Sequence, residues 1–220
     1  MSFIGITLYK TDSDRCPNKH FRIFDDDKTL VDLKIEQLLK SGAEHVYVST
    51  NDKNVKSTNK ITYIERKDEY CNESYHSFTE TLNVIFNSIP VEDKIPAIFT
   101  TSMCPLFSRY DEMYEKFSST KNNQLAVYPS KHYYLDSRKR GINFMPGHWE
   151  VDSQFLDAVY HVPLSGCLAT MGELRQVSFY IPKTFDYFEI KFEESIDIDT
   201  EEEFLLAQHF YNIRKNDFNR

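Results

Sequence analysis

Apolar residues fall in short clusters along the chain, and the spacing within each cluster follows one of two periods. Residues 3–9 form a short apolar run that reads as a buried strand. From Leu30 onward, Leu30, Leu33, Ile35, Leu38 and Leu39 follow helical spacing, and Gly42 supplies a stop. Residues 45–50 and 61–64 read as two further strands, with Asn51 and Asp52 turning the first. Phe78, Leu82, Ile85 and Phe86 predict a helix, residues 95–100 a core strand, and Tyr110, Met113, Tyr114 and Phe117 another helix. Strands alternating with helices in this way imply an α/β fold, a mostly parallel sheet with helices on both faces. Ligands of such sheets sit outside the carboxyl ends of the strands, where the loop from Lys10 to His20 lies.

Beyond residue 124 the pattern changes. Residues 125–128 and 133–135 look like strands, whereas 138–162 is irregular and rich in aromatic and basic side chains. Phe144, Trp149, Phe155 and Tyr160 are too many for one local turn to bury. This excursion either packs on a second subunit or folds onto its own core, and both readings stay open. A strand over 188–192 and a final helix with Phe204, Leu205, Ala207 and Phe210 on one face complete the chain. Thr200 and Glu203 form a capping-box pattern that starts this helix just after Asp199. No repeat, low-complexity tract or linker divides residues 1–220, so one domain is expected.

Hydrophobic residues make up 40% of the 220 and aromatic residues 15%, which excludes disorder along the whole chain. A formal net charge of −8 argues against nucleic-acid polymers and anionic membranes, but not against a free nucleotide held by a few local cations. Cys16, Cys71, Cys104 and Cys167 form no CxxC pair and read as reduced thiols of a cytoplasmic protein. No apolar run approaches the roughly 18 residues that a membrane span needs.

Two groups of residues could carry chemistry. The loop after the first strand offers Lys10, Ser13, Arg15 and Lys19, with Pro17 fixing the backbone between them. Long cationic side chains converging from several directions can hold a triphosphate, although such a loop can also be a solvated surface. Near the other end, alternation in Ile196-Asp197-Ile198-Asp199 puts both carboxylates on one face of an extended segment. Hard oxygen ligands of this kind suit Mg²⁺; alternatively, Asp199 complements the helix N-terminus and Asp197 is solvated.

Ser13, Arg15, Pro17 and Lys19 fit an A-R-x-G-S-K-R-x-P-x-K-N loop at the same spacing. Residues 48–52 (VSTND) echo V-S-T-D-D, Pro105-Leu106 echo L-Q-P-T-S-P-L, and 142–146 (INFMP) echo I-N-F-x-P. Residues 165–167 echo an N-G-A turn, and 195–200 read SIDIDT outright. With these motifs in this order, the chain resembles the acylneuraminate cytidylyltransferase family, which activates sialic, legionaminic, pseudaminic and Kdo-type sugars. The resemblance implies a Rossmann-like nucleotide-diphospho-sugar transferase fold with a dimerisation arm, here 138–165, reaching the partner's site. It implies CTP and Mg²⁺ as ligands and an acidic sugar as acceptor. Lys10, Arg15 and Lys19 would serve the triphosphate and Ser13 the nucleotide beside it. Arg66 would stand at the cytosine pocket, Lys131 and His20 would serve the substrate, and Asp197 and Asp199 would hold the metal.

The departures are specific. Lys10 replaces an arginine, Thr11-Asp12 a pair of glycines, Asp14 a lysine, His20 an asparagine, and Thr101 or a neighbour the base-reading glutamine. An acid in the loop opposes triphosphate strongly where desolvated and weakly where it faces water. Two alternatives therefore accompany the cytidylyltransferase reading: a changed acceptor or nucleotide, and a binding homologue with impaired turnover.

Overall fold

A computed structural model describes residues 3–72, 74–147 and 152–218. The first strand, β1 (Phe3–Leu8), lies at the centre of the main sheet, paired in parallel with β4 (Ala43–Thr50) on one side and β6 (Pro96–Phe99) on the other. β5 (Ile61–Glu65) extends the sheet beyond β4, again in parallel. On the other flank, β9 (Cys167–Thr170) runs antiparallel between β6 and β7 (Gln124–Ser130), and β10 (Asp186–Glu189) pairs in parallel with β7. The order is β10-β7-β9-β6-β1-β4-β5, with the short β8 (Val159–His161) paired to β7. β9 reverses direction twice across its two neighbours, so β7 and β10 point the same way as β1. Six carboxyl ends thus share one edge of the sheet.

Helices cover both faces because the strands are apolar on both. On one face α1 (Leu30–Lys40) and α3 (Tyr110–Thr120) bury Ile35, Leu38, Tyr110 and Met113 against Phe3, Val46, Val48 and Ile98. On the other, α2 (Phe78–Ser88) and α4 (Met171–Val177) bury Leu82, Ile85, Phe86 and Leu174 against Ile4, Ile6, Phe99 and Val127. α1 lies so close to β1 that a Cβ at Gly5 would sit 2.9 Å from a Leu38 methyl group. Full capping boxes start α1 (Thr29 with Asp32) and α2 (Ser77 with Glu80), and Gly42 at φ +95° ends α1 in the left-handed conformation that glycine allows.

A third apolar cluster lies at the carboxyl edge, where Cys16, Phe24, Leu30, Leu33, Leu106, Ile196, Ile198, Phe204 and Ala207 meet. It docks the final helix α5 (Glu201–Phe218) and the hairpin of β2 (Ile23–Asp25) and β3 (Lys28–Thr29) beside the loop after β1. The α5 start follows the capping pattern: Glu203 accepts from the Thr200 backbone N–H at 2.9 Å, and the Glu203 N–H donates to the Thr200 hydroxyl at 3.3 Å.

Two expectations are corrected, and one run was missed. Residues 133–135 are not a strand: only Leu135 forms a bridge, to Gly141. The chain turns there because Asp136 accepts from the N–H groups of Arg138 and Arg140 and pairs with the Arg140 guanidinium. The last strand is Asp186–Glu189 rather than 188–192, because Glu193–Ser195 forms a 3₁₀ turn that draws Lys191 and Phe192 out of the ladder. The run β9–α4 was not foreseen, although Thr170 and Glu173 carry a readable N-cap. Of the aromatic excursion, Phe144 meets Tyr133 edge to face and Tyr160 packs on Tyr187 with its ring tilted. Phe155 stays 71% exposed, and Trp149 lies outside the described residues.

Leu82 is fully buried beneath Phe86 and Phe99, far in sequence from the loop after β1. Leu82→Ala is expected to cost roughly 2–5 kcal/mol of stability through a core cavity. Urea unfolding checks this, and a loss below about 1 kcal/mol would contradict the packing described.

Candidate functional site

The loop after β1 is pinned at its start. Tyr9 N–H donates to Ser49 O at 3.1 Å, prolonging the β1–β4 pairing. Asn51 then clamps Thr11, accepting from its N–H and donating to its hydroxyl, both at 2.9 Å, while also reaching Asp68 at 2.8 Å. Further on, residues 16–22 wind into a tight turn in which Phe21 and Arg22 N–H groups both donate to Asn18 O. Asn18 takes φ +55°, a region that asparagine tolerates. This backbone needs no glycine, and it turns Cys16, Lys19 and His20 inward while Asp12 and Asp14 stay exposed.

The two ends of the chain meet at Asp199. Arg15 Nη1 lies 2.9 Å from Asp199 Oδ2, and Lys19 Nζ lies 3.4 Å from Asp199 Oδ1. Lys19, only 4% exposed, also donates to Ile198 O and touches Met103 Sδ at 3.0 Å. Ile198 N–H donates to Met103 O at 2.9 Å, which fixes the extended segment against the residues after β6. As alternation predicts, Ile196 and Ile198 enter the core, leaving Asp197 and Asp199 on the other side. Asp197 Oδ1 is buried with no hydrogen-bond partner among the described residues. Burial pushes the Asp197 carboxyl up to about 6, the Asp199 charge adds to this, and the Lys19 cation opposes it.

Beside this centre, His20 is buried and its Nδ1 lies 3.1 Å from Ser102 Oγ. Burial, reinforced by the charges of Lys19, Arg66 and Lys10, pushes the imidazole down to about 3, so it is neutral at ordinary pH. Arg66, also buried, donates to Tyr9 O at 2.7 Å and to Cys71 Sγ at 3.2 Å. Lys10 donates to Cys71 O at 3.1 Å. Lys10 and Arg66 therefore form a second cationic group, which shares the Cys71 corner.

The structure brings Arg15, Lys19, Asp197 and Asp199 into one centre, with His20 alongside. It does not bring all the expected residues there. Thr101 is buried and aims its hydroxyl at Cys104 Sγ, 3.9 Å away, because its N–H is tied to Leu164 O. The neighbouring Ser102 makes the link to His20 instead. Lys131 follows β7 at the same sheet edge but is exposed and donates to Gln154 O at 3.1 Å. Ser13 makes no hydrogen bond to another described residue. Asn51, Ser102 and Met103 were not singled out as site residues; the 48–52 echo was the one available signal for Asn51.

Among the described residues no group of three or more His, Cys, Asp or Glu side chains is placed to hold a metal. Asp197 and Asp199 nevertheless fit Mg²⁺, which takes one or two protein carboxylates and completes its shell with water and phosphate oxygens. The unpartnered Asp197 Oδ1 is a donor of the right chemistry. No helix among the described residues is long and apolar enough to cross a membrane.

No protein-family model and no curated protein sequence matches the chain. Solved structures do match its fold. A CMP:2-keto-3-deoxy-manno-octonic acid synthetase complexed with CTP superposes with a TM-score of 0.66 at 13% identity, covering 97% of this chain and 100% of that one. The 4-diphosphocytidyl-2C-methyl-D-erythritol synthase of Anaerococcus prevotii gives 0.64 at 9% identity, covering 96% of each chain. The 2-C-methyl-D-erythritol 4-phosphate cytidylyltransferase of Francisella tularensis gives 0.63 at 11%, covering 94% of this chain and 99% of that one. At such identities the likeness establishes the fold alone: a mostly parallel α/β sheet covered by helices, as in these three structures.

The neutral His20 makes a prediction with a definite sign. Its pKa is depressed on folding, so between pH about 3 and 6.5 the unfolded chain binds more protons and stability falls as pH drops. Between pH 7 and pH 4 the wild type is expected to lose roughly 3 kcal/mol more stability than His20→Gln. Denaturant titrations at the two pH values check this; equal losses would show that His20 is solvated or charged in the folded protein.

Proposed function

We propose that the chain is a CTP-dependent cytidylyltransferase that activates an acidic, sialic acid-like ulosonic sugar. The observation that carries this reading is the meeting of Arg15 and Lys19 with Asp199, which joins the cationic loop to the carboxylate pair at the carboxyl edge of the sheet. The named activities of the three matching structures support cytidylyl transfer as the general reaction.

In this reading the anomeric hydroxyl of the sugar attacks the α-phosphorus of CTP and forms the new P–O bond. The bond to the β-phosphate breaks, pyrophosphate leaves, and the hydroxyl proton passes to solvent. Such transfers depend on in-line positioning and on charge neutralisation. Mg²⁺ bound by Asp197 and Asp199 would supply charge stabilisation on the phosphates. Arg15 is exposed and, among the described residues, held by Asp199 alone, so it is free to turn its planar fork onto the triphosphate. Lys19 is fixed from below by Ile198 O and presents its charge at the floor of the site. Lys10, whose Nζ is tied to Cys71 O, extends the positive potential along the loop. Lys131 is the candidate for the sugar carboxylate. Asp12 and Asp14 face solvent, where their opposition to a triphosphate is small. This weakens the reading of an impaired binding homologue.

Met145, Ile142 and Phe155 are large apolar side chains left exposed along 138–165, which supports a homodimer formed through that arm. A second reading keeps the chemistry and changes the nucleotide: Thr101 points inward and Arg66 is committed to Tyr9 O, so the base-reading groups differ from those the resemblance implies.

The test is pyrophosphate release from CTP and Mg²⁺ with a panel of 2-keto acid sugars, run alongside ATP, GTP and UTP. Release is expected with CTP and at least one such sugar, and Asp199→Ala is expected to lower it about a hundredfold or more. Release with another nucleotide would move the assignment to the second reading. No release with any pair would remove the transferase reading.

A further inference from the structure

The segment that follows β6 is held in an unusual way. Five successive backbone carbonyls each accept a hydrogen bond from a side chain. Lys34 Nζ donates to Cys104 O at 2.9 Å and Phe107 O at 3.0 Å, Gln37 Nε2 to Pro105 O at 2.7 Å, Arg214 Nη1 to Leu106 O at 2.6 Å and Ser41 Oγ to Ser108 O at 3.0 Å. The carbonyl just before them, Met103 O, accepts from Ile198 N–H. A loop with no regular partner has its acceptors satisfied one by one, mostly from α1.

Lys34 is the centre of this clamp, and its side chain is fully buried. It lies on the apolar face of α1 between Leu33 and Ile35, where a leucine or methionine would fill the core without desolvating a charge. Burial pushes its ammonium down to about 7, and three acceptors work to keep the proton. The third acceptor is Tyr110 Oη at 2.7 Å. With Lys34 as donor, the hydroxyls can order in one direction: Tyr110 to Thr100 at 3.0 Å, then Thr100 to Ser165 O at 2.7 Å. Ser165 Oγ donates onward to Glu194 O at 2.8 Å, at the foot of the SIDID segment. Every donor is used, which is the condition under which a buried polar network rigidifies rather than weakens a core.

The two residues that lead into the clamped segment carry the contacts that build the site floor. Ser102 touches His20, Met103 Sδ touches Lys19, and Met103 O holds Ile198, whose own carbonyl accepts from Lys19. We infer that Lys34 is a positioning residue for the nucleotide site: through the carbonyls of Cys104 and Phe107 it sets the place of Met103, and hence of Lys19 and the Asp197–Asp199 segment. The inference rests on the nucleotide reading of that site for its functional half; its structural half stands on the free protein.

The experiment compares Lys34→Met with Leu82→Ala, a core truncation on the opposite face of the sheet, at conditions that give both the same global stability. The first readout is hydrogen exchange in the absence of ligand. The Ile198 amide is expected to exchange at least tenfold faster in Lys34→Met than in Leu82→Ala. The second is calorimetric titration of CTP with Mg²⁺, where the dissociation constant is expected to rise at least tenfold in Lys34→Met and to stay within twofold of wild type in Leu82→Ala. Equal Ile198 exchange in the two variants would overturn the clamp. Faster exchange with unchanged affinity would overturn the positioning role. A wild type that binds no CTP would remove the nucleotide reading and leave the exchange result to decide the clamp alone. If Lys34→Met does not fold, Gln37→Leu removes the Pro105 donor of the same clamp. The same two changes are expected at smaller amplitude, and unchanged exchange at Ile198 would overturn the inference.

Discussion

Two carboxylates lie two residues apart at the carboxyl edge of the sheet: Asp199 is held by two cations from the other end of the sequence, and Asp197 has a buried oxygen that nothing among the described residues satisfies. Without Arg15 and Lys19, Asp197 and Asp199 would repel each other in a partly desolvated place. Conversely, Lys19 could hardly be buried without the Ile198 carbonyl and the Asp199 charge. The loop after β1, the extended segment before α5 and the residues after β6 are therefore mutually dependent. None has a regular ladder of its own, and each finds its partners in the other two. A buried acceptor left without a partner costs stability unless water or an ion satisfies it. Asp197 Oδ1 is in that position.

The sheet makes this meeting possible. β1, β4, β5, β6, β7 and β10 all end at one edge, so their following loops gather there although they come from all parts of the chain. α5 and the β2–β3 hairpin seal the edge with their own small core around Phe24 and Phe204. Arg22 links that core to the first turn of α5 through Glu201 and stacks over Phe204. The floor of the site is thus anchored to α1 by Lys34 and to α5 by Arg214, two helices that contribute no candidate ligand-binding group themselves.

Much of this was legible in the sequence wherever one residue's spacing carried the information. The strand before the loop, the helices from Leu30, Phe78 and Tyr110, and the capped start of α5 follow from period and capping alone. So does the split of Ile196 and Ile198 from Asp197 and Asp199. Features set by contacts between distant segments were not legible. Lys34 reads as one polar residue in an amphipathic helix, and its burial is decided by a carbonyl 70 residues away. Thr101 and Ser102 are adjacent and chemically alike, and only the pairing of Thr101 N–H with Leu164 O decides which one faces His20. The two acids of the loop looked like intrusions into a phosphate site, whereas the turn around Asn18 directs Lys19 and His20 inward and Asp12 and Asp14 lie in water. Asp136 stops the expected strand at 133–135 by a local turn that competes with pairing.

The central claim is that the two ends of the chain form one site for a metal-bound nucleoside triphosphate, and calorimetric titration of CTP into the purified protein with and without Mg²⁺ tests it most directly. The account predicts saturable binding that strengthens at least tenfold with Mg²⁺ and is lost in Asp199→Ala. Heats indistinguishable from dilution under both conditions would contradict it and leave the Arg15–Lys19–Asp199 cluster as an element of fold stability alone.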